Sequence, residues 1–313
     1  MTRLMLASTG GHLSELVRLA PRLWPPAEDE LWVTFDSPQS RTLLAGRRVR
    51  FIRDTQPRDW RSVLVNTCSA RTMLNCDIDA VVSSGAGIAL SFLPLARARG
   101  IATHYIESFA RVQCPSLTGR ALERVRGIRL YTQHRALADS RWRYAGSVFD
   151  NWKPVAVPSP PPLRTAVITV GTLGFSFAGL LERVRAILPE TVEVIVQAGI
   201  DSARLDWPGA LVRSTMTVEE MRSAMTKADV VVAHAGVGSA LIALDAGKVP
   251  ILVPRTRSRG EHVDDHQAQI ARYLADRGLA VMADVTTMDL GHFSAALARS
   301  VERTATPQMF ALR

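Results

Sequence analysis

The fold of this chain is decided by one stretch, Asp229-Val-Val-Val-Ala-His234-Ala-Gly236-Val-Gly238-Ser239-Ala-Leu-Ile-Ala-Leu-Asp-Ala-Gly247. Apolar and β-branched residues precede a glycine-rich turn, and small apolar residues follow it, a pattern typical of a buried strand, a tight turn and a helix. Such a turn presents backbone N–H groups and the positive end of a helix to a ligand above the carboxyl end of the strand. The stretch therefore predicts a phosphate site on an α/β sheet.

The bulk composition indicates two domains and an anionic partner. A chain of 313 residues with 47% hydrophobic residues can bury two cores of about 150 residues each. A formal charge of +9 favours a polyanionic partner. Nucleic acid is disfavoured because only 6% of the residues are aromatic and the arginines are dispersed. No apolar run reaches the roughly 18 residues of a membrane-spanning helix.

A proline-rich segment divides the chain. Strand-like segments alternate with helix-length segments on both sides of it, which predicts parallel α/β sheets. Proline at this density cannot continue a helix or a central strand and acts as a semi-rigid connector. We therefore expect an N-terminal domain over 1–152, a linker over 153–164 and a C-terminal domain over 165–313, which ends in a helix from about 292 to 303.

Two glycine turns in the first half each follow a predicted strand. Thr9-Gly10-Gly11-His12 follows the strand 3–8, and Ser83-Ser84-Gly85-Ala86-Gly87 follows the strand 80–84. Because parallel strands end along one edge of a sheet, the two turns could share a ligand. His12 is the candidate for proton chemistry, since histidine titrates near working pH. The alternative is that His12 only forms hydrogen bonds at the start of a helix.

The second half carries the candidate phosphate site at 236–239. The alternative is that its glycines only permit a helix to pack on the sheet, with His234 as a core residue. Asp264, Asp265 and Gln267 offer acceptors and an amide to sugar hydroxyls, although Asp264 could also cap a helix. No cluster with the spacing of metal ligands occurs in the sequence. A cation-independent reaction is therefore expected.

A basic amphipathic segment lies within the first half, at 116–126. Leucine and valine side chains share one side of it, and arginines lie elsewhere. Such a segment can lie in a lipid interface. The alternative is a solvated surface helix that packs one face on the sheet.

These motifs together resemble the family of GT-B glycosyltransferases that includes the bacterial lipid I N-acetylglucosaminyltransferase. The chain resembles even more closely the two-subunit eukaryotic enzyme that adds the second N-acetylglucosamine to dolichyl-diphosphate-GlcNAc, with both subunits in one polypeptide. The most specific motif is Tyr105-Ile-Glu107-Ser108-Phe109-Ala110-Arg111-Val112. The resemblance implies a GT-B fold, in which two Rossmann-like domains face each other across an interdomain cleft.

The resemblance also implies roles for individual residues. His12 would be the general base. The acceptor diphosphate would be bound by the first-half turns and their neighbours, namely Thr9, Gly10, Gly11, Ser84, Gly85, Gly87, Glu107 and Arg111. The donor nucleotide and its sugar would be bound by Gly171, Thr172, His234, Gly236, Val237, Gly238, Ser239, Asp264, Asp265 and Gln267. Relatives commonly have a ribose-binding glutamate where this chain has Ile242, and Asp245 one turn later is a possible substitute.

The implied function is an inverting, metal-independent transfer of a hexose from a UDP-sugar to a polyprenyl-diphosphate-linked sugar acceptor in cell-surface polysaccharide synthesis. No cofactor beyond the donor is expected. The expected location is cytoplasmic and peripheral, on the anionic inner face of the plasma membrane. Two alternatives stay open: a UDP-sugar 2-epimerase-like enzyme of the same fold, and a non-catalytic membrane adaptor with a decayed donor site.

Overall fold

The structure, a computed structural model, describes residues 2–23, 29–55, 59–74, 77–171, 174–261, 266–310 and 312. The chain forms two units, which are Met1–Asp150 with Thr306–Arg313 and Asn151–Ala305. This division differs from the predicted one at the C-terminus, because the last residues belong with the first unit.

The first unit is built on a parallel sheet. Its strands are β1 (Thr2–Leu6), β2 (Asp29–Phe35), β3 (Arg48–Ile52), β4 (Ile78–Ser83), β5 (Ala102–Ile106), β6 (Arg129–Thr132) and β7 (Trp142–Tyr144). Its helices are α1 (Gly11–Leu23), α2 (Pro38–Leu43), α3 (Trp60–Met73), α4 (Gly87–Ala98) and α5 (Leu117–Glu123). The strand order is β3-β2-β1-β4-β5-β6-β7. The order reverses between β1 and β4, and at such a switch point α/β proteins bind their ligands.

The second unit repeats this plan. Its strands are β8 (Trp152–Ala156), β9 (Thr165–Thr169), β10 (Glu193–Gln197), β11 (Leu211–Arg213), β12 (Val230–His234), β13 (Ile251–Val253), β14 (Val281–Met282) and β15 (Arg299–Arg303). Its helices are α6 (Ala178–Ile187), α7 (Val218–Lys227), α8 (Val237–Asp245), α9 (His266–Asp276) and α10 (Leu290–Leu297). The parallel sheet has the order β11-β10-β9-β12-β13-β14, with its switch point between β9 and β12. The predicted α/β class is confirmed.

The apolar run in β12 is buried on both faces of the sheet. Val230 and Val232 pack into a core with Phe177 of the segment before α6. Val231 lies in a second core on the other side, with Met225 of α7. Successive side chains of a strand point to opposite faces. A strand covered by helices on both faces is therefore apolar at every position.

A small antiparallel ribbon corrects two predictions from the sequence. β15 pairs with β8, from Arg299 opposite Ala156 to Arg303 opposite Trp152. The helix predicted up to residue 303 therefore ends at Leu297, because the next residues form backbone hydrogen bonds with β8. The predicted linker 153–164 likewise begins as a strand. Proline is tolerated there because a two-stranded ribbon leaves edge positions without a ladder partner.

The C-terminal tail packs on the first unit. Phe310 is fully buried, and its backbone N–H donates to the carbonyl oxygen of Arg22 at 2.8 Å. The Arg22 Nε in turn donates to the carbonyl oxygen of Gln308 at 2.9 Å. Tyr131 of β6 contacts the Phe310 ring edge-on, with 6.3 Å between the ring centroids. The tail thus contributes to the core of the first unit, although it follows the second unit in the sequence.

Two leucines of the second unit test the packing of its core. Leu180 of α6 is fully buried, whereas Leu290 at the start of α10 is 46% exposed. Leu180→Ala is expected to lower the free energy of unfolding by about 2–5 kcal/mol. Leu290→Ala is expected to change it by less than about 0.5 kcal/mol. Urea denaturation of both variants measures the difference, and equal losses would contradict this assignment of the core.

Candidate active site

The imidazole of His12 is fixed at the switch point of the first unit. His12 is the second residue of α1, and its Nδ1 lies 2.7 Å from the carbonyl oxygen of Ser84. A carbonyl oxygen only accepts, so Nδ1 carries the proton. Burial lowers the pKa of His12; the Ser84 carbonyl opposes this effect and the positive charge of Arg111 adds to it. The ring is therefore neutral near pH 7, and its Nε2 can accept a proton.

The two predicted glycine turns of the first unit contact each other. The Ser84 hydroxyl donates to the backbone carbonyl of His12 at 2.9 Å. Gly85 has φ +123°, and a Cβ there would lie 3.0 Å from Cε1 of His12. Ala86 adopts φ 61° and ψ −168°, a region that is almost restricted to glycine. Such strain is concentrated at functional sites, which agrees with a built site at this turn.

Gly87 and Arg111 lie close to this pair of turns. A Cβ at Gly87 would lie 2.5 Å from Cγ2 of Thr55, so packing of α4 explains this glycine without a ligand. The backbone N–H of Arg111 donates to the carbonyl oxygen of Ser108 at 3.0 Å. Its guanidinium is near enough to His12 to lower the pKa of the histidine. Arg111 therefore brings positive charge to the turn where the acceptor diphosphate was predicted.

A glutamine that has no sequence motif holds the first turn. The N–H of Gly10 donates to Oε1 of Gln39 at 2.6 Å. The Gln39 Nε2 donates to the carbonyl oxygen of Gly10 at 3.2 Å and to Oγ of Ser14 at 3.3 Å. The Gly10 amide is thus used within the protein, whereas Thr9 and Gly11 remain partly exposed.

Glu107, which was predicted to bind the acceptor, uses both of its carboxylate oxygens within the protein. It is 1% exposed, and its Oε2 accepts from the N–H of Ser116 at 2.8 Å and from its hydroxyl at 3.0 Å. Its Oε1 accepts from the Tyr105 hydroxyl and from the N–H of Ser108, both at 3.1 Å. Burial raises the pKa of Glu107. The carboxylate holds the loop between Glu107 and Ser116 in place.

A second buried carboxylate, Glu15 of α1, binds the same loop. It accepts from the Ser108 hydroxyl at 2.8 Å, from the N–H of Phe109 at 2.9 Å and from Nε2 of Gln133 at 2.7 Å. Burial raises the pKa of Glu15 to about 7, against the effect of these hydrogen bonds. Sequence reasoning missed Glu15 and Gln133, because their partners are remote in the chain.

In the second unit, His234 lies between two of the predicted glycines. A Cβ at Gly171, which has φ +79°, would collide with the imidazole, and so would a Cβ at Gly236. The turns after β9 and β12 therefore meet at this side chain. His234 is 8% exposed. The alternative that His234 is a core residue thus describes part of its environment. The imidazole itself requires glycine at positions 171 and 236.

The N-terminus of α8 is open. Gly236 is the N-cap residue, and no side chain caps the helix. A Cβ at Gly238 would meet nothing within 4 Å, and Ser239 is partly exposed, whereas Val237 is buried. The N–H groups of the first turn and the positive end of the helix are therefore accessible to an anion. Packing explains Gly236, but it gives no reason for Gly238.

A buried glutamine fixes the turn after β9. The Gln197 Nε2 donates to the carbonyl oxygen of Gly171 at 2.8 Å and to that of Ser214 at 3.0 Å. Its Oε1 accepts from the Thr169 hydroxyl at 2.6 Å. The conformation of Gly171, which makes room for His234, is thus held by a side chain from the neighbouring strand.

Arg255 is a buried cation that joins the loops of this edge. It is fully buried, and burial lowers its pKa. Its guanidinium donates to the carbonyl oxygen of Val170 at 2.8 Å and to that of Phe175 at 2.7 Å, and it lies 4.8 Å from the centroid of the Phe177 ring. Its backbone N–H donates to Oε1 of Gln267 at 3.0 Å. The carboxamide oxygen of Gln267, predicted to contact the donor, is therefore used within the protein.

A family match identifies this half of the chain. Residues 165–305 match the model of the glycosyltransferase family 28 C-terminal domain, and they comprise nearly all of the second unit. The second unit thus matches the family 28 C-terminal domain over nearly all of its length. The predicted resemblance to this family is thereby confirmed on the half that was expected to bind the donor.

The chain is also similar to bacterial proteins named UDP-N-acetylglucosamine–N-acetylmuramyl-(pentapeptide) pyrophosphoryl-undecaprenol N-acetylglucosamine transferase. The one from Ralstonia nicotianae is 32% identical over 146 residues, which cover 41% of this chain and 39% of the relative. The one from Albidiferax ferrireducens is 33% identical over 125 residues, which cover 37% of this chain and 31% of the relative. The chain thus spans well under half the length of these curated relatives.

Solved structures show the same fold. MurG of Acinetobacter baumannii has a TM-score of 0.61 at 22% identity, covering 95% of this chain and 90% of that one. The glycosyltransferase SnogD from Streptomyces nogalater has a TM-score of 0.59 at 18% identity, with 95% and 90% covered. These likenesses concern the fold, and they confirm GT-B architecture with two Rossmann-like domains.

Ile242 stands where the resemblance implied a ribose-binding glutamate. This side chain packs against the core that contains Val167 and Met221. Asp245 lies at the last position of α8, where its Oδ1 accepts from the guanidinium of Arg303 at 2.5 Å. The structure therefore gives Asp245 a partner on β15, at the end of α8 remote from the glycine turn.

Three predicted donor residues, Thr172, Asp264 and Asp265, lie outside the described residues. Within the described part of the chain, no group of three or more histidine, cysteine, aspartate or glutamate side chains could hold a metal ion.

The raised pKa of Glu15 predicts a pH-dependent stability. Because the native pKa of about 7 lies above the ordinary value of 4.5, the native state keeps this proton where the unfolded state loses it. The contribution of Glu15 to the free energy of unfolding therefore falls between these pH values, by about 3 kcal/mol. Urea denaturation should show Glu15→Gln gaining on the wild type between pH 5 and pH 8.

Buried histidines whose pKa is lowered act in the opposite direction, so the difference between variant and wild type is the quantity to compare. Asp79→Asn provides the matched control, since it makes the same carboxylate-to-amide change at an exposed position of the same unit. A difference between Glu15→Gln and wild type that is constant with pH would contradict the burial argument.

Proposed function

We propose that this protein is an inverting glycosyltransferase that moves a hexose from a UDP-sugar to a polyprenyl-diphosphate-linked sugar acceptor. The observation that carries the proposal is the family 28 domain with an open helix N-terminus beside His234. The first unit complements it with a neutral histidine whose Nε2 can accept a proton. One half thus provides an anion site and the other a base.

In the proposed reaction the second unit binds the donor. The diphosphate of UDP accepts from the N–H groups at the start of α8, and the hydroxyl of Ser239 adds a donor. The helix end offsets the negative charge that develops on the leaving UDP, so no metal ion and no further cofactor are required. Gly171 and Gly236 keep His234 beside this site, since any larger residue at either position would displace the imidazole.

The first unit binds the acceptor and removes its proton. The acceptor hydroxyl attacks the anomeric carbon, the bond from that carbon to the UDP oxygen breaks, and Nε2 of His12 takes the hydroxyl proton. A single displacement of this kind inverts the anomeric configuration. Arg111 and the N–H group of Gly11 bind the acceptor diphosphate. Glu15 and Glu107 position the loop that carries Arg111.

The substrate classes follow from the names of the relatives, which pair UDP-N-acetylglucosamine with a pyrophosphoryl-undecaprenol acceptor. The acceptor lipid supports a place at the cytoplasmic face of a membrane. The proposal specifies the two classes and leaves the donor sugar to a screen of UDP-sugars.

His12→Ala is the test of the base. Its kcat for UDP release with a UDP-sugar and a polyprenyl-diphosphate-linked monosaccharide should fall roughly 10²–10⁴-fold, while the Kd for UDP stays unchanged. Unchanged UDP binding also shows that the variant is folded. His292→Ala is the control, because His292 is a surface residue that interacts with Asp289 at the start of α10. Near-normal transfer by His12→Ala would remove the base assignment.

Two further outcomes would replace the proposal. Formation of an epimer from the UDP-sugar alone, without acceptor, would favour a 2-epimerase-like reaction of the same fold. Failure of the wild type to bind UDP at millimolar concentration would favour a non-catalytic adaptor. Both experiments use the full chain and need no acceptor.

We further propose that the first unit docks on an anionic membrane surface through α3 and α5. Trp60 and Leu64 are one helical turn apart on α3 and are 63% and 57% exposed, and Leu117 of α5 is 70% exposed. The guanidinium of Arg61 lies 5.6 Å from the centroid of the Trp60 ring. Apolar side chains flanked by arginines are typical of interfacial helices. Leu122 of α5 is fully buried, so the other face of α5 packs on the core.

None of the helices within the described ranges is long and apolar enough to cross a membrane, so the test addresses peripheral binding. Trp60→Ala/Leu64→Ala should weaken binding to phosphatidylglycerol vesicles roughly tenfold or more. The control is Ile200→Ala/Leu211→Ala, which removes two exposed apolar side chains from the second unit. Equal vesicle binding by the two double variants would contradict this docking surface.

A further inference from the structure

A cavity lies at the amino ends of β5, β6 and β7, at the sheet edge opposite to the candidate active site. Its volume is about 490 Å³, which is within the size range of small-molecule sites. It is lined by Arg97, Gly100, Ile101, Ala102, Gly127, Ile128, Arg129, Leu130, Ser140, Arg141 and Arg143. These residues lie at or near the first positions of β5, β6 and β7, at the end of α4 and in the loops between these elements. The proposed transfer reaction uses none of them.

The lining is cationic and contains no carboxylate. Four arginines contribute to it, from three different parts of the chain. Some other arginines of the first unit pair with acids, as Arg41 does with Asp36 at 2.7 Å. In contrast, Arg97, Arg129 and Arg143 have no hydrogen-bond or ion-pair partner for their guanidinium groups among the residues that the structure describes. Three positive charges therefore face one cavity without an internal counter-ion.

Two features hold the walls of this cavity in place. Arg141 donates to the carbonyl oxygens of Val125 and Ile128, each at 3.0 Å, and thereby fixes the loop between α5 and β6. Gly127 has φ +88°, and a Cβ there would collide with the guanidinium of Arg97. The guanidinium of Arg97 therefore lies against the backbone of Gly127, where any other residue would place a Cβ in its way. Arg141 is thus held by backbone carbonyl oxygens, whereas the side chains of Arg97, Arg129 and Arg143 are exposed at the cavity.

The charge of Arg129 also affects the interior. Burial lowers the pKa of His104 on β5 to about 4, and the positive charge of Arg129 lowers it further. No acid among the lining residues offsets this charge. The electrostatic potential is therefore positive at the sheet edge as well as at the mouth of the cavity.

We propose that this cavity binds a ligand carrying two or more phosphate groups, through the guanidinium groups of Arg97, Arg129 and Arg143. Guanidinium forms paired, charge-assisted hydrogen bonds with phosphate oxygens, whereas isolated carboxylates or neutral ligands would leave at least one arginine without a counter-charge. The ligand is either a soluble polyphosphate compound or the phosphorylated headgroup of a lipid, since both have the same binding chemistry. The site is distinct from the donor and acceptor sites of the proposed transferase.

The test uses tripolyphosphate as the soluble probe and isothermal titration calorimetry of the full chain. Saturating UDP is present throughout, so that the proposed donor site cannot account for the heat. The wild type should bind one tripolyphosphate, and Arg129→Gln/Arg143→Gln should weaken binding roughly a hundredfold, about tenfold for each arginine. Arg97→Gln alone should weaken it roughly tenfold.

The matched control is Arg222→Gln/Arg272→Gln, which removes the same charge from two exposed positions of the second unit. This control should bind tripolyphosphate as the wild type does. A second arm measures binding to vesicles that contain a phosphoinositide. Loss of vesicle binding in Arg129→Gln/Arg143→Gln, without tripolyphosphate binding by the wild type, would identify a lipid headgroup as the ligand. Absence of both bindings, or equal weakening in the control, would overturn the proposal.

Discussion

The hydrogen bond from Nδ1 of His12 to the carbonyl oxygen of Ser84 is the contact on which the chemistry proposed for the first unit depends. It exists because β1 and β4 are parallel neighbours, with Leu6 in register with Ser83, so that the residues after both strands meet at the switch point. Gly85 leaves room for the imidazole, and Ala86 accepts an unfavourable backbone conformation next to it. The sheet topology, the conformation of the turn and the tautomer of the histidine therefore depend on one another.

The second unit uses the same topology for a different purpose. There the histidine ends a strand and packs between two glycines, while the helix that follows keeps its N-terminus free of side-chain caps. A histidine in the first turn of a helix, such as His12, can present a ring nitrogen to a ligand. A histidine at the end of the preceding strand, such as His234, leaves the N–H groups of the helix start accessible. In the proposed reaction the two halves therefore divide the requirements of group transfer: one removes a proton, and the other stabilises negative charge.

Much of the fold followed from the sequence, since apolar runs before glycine turns, such as that before His234, mark buried strands by local pattern alone. Two edge strands did not: β7 has only three residues, and β15, in which four of the five residues are polar or charged, was expected to be helical. The supporting polar residues were also missed. Gln133 meets Glu15 across 118 positions, and Arg255 meets Val170 across 85, so that only tertiary structure reveals why these polar groups are buried. Glu107 was noticed through its motif, but its burial could not be inferred from it.

The C-terminal tail, which packs on the first unit, affects how the protein responds to a single proteolytic cut. Phe310 and Gln308 are bound to Arg22, although the chain between them and the first unit runs through the whole family 28 domain. A protease that cuts once between residues 157 and 164 therefore leaves two fragments that still share a folded core, because the C-terminal fragment contributes to the interior of the other. The covalent link at the proline-rich segment is thus not the sole attachment between the fragments.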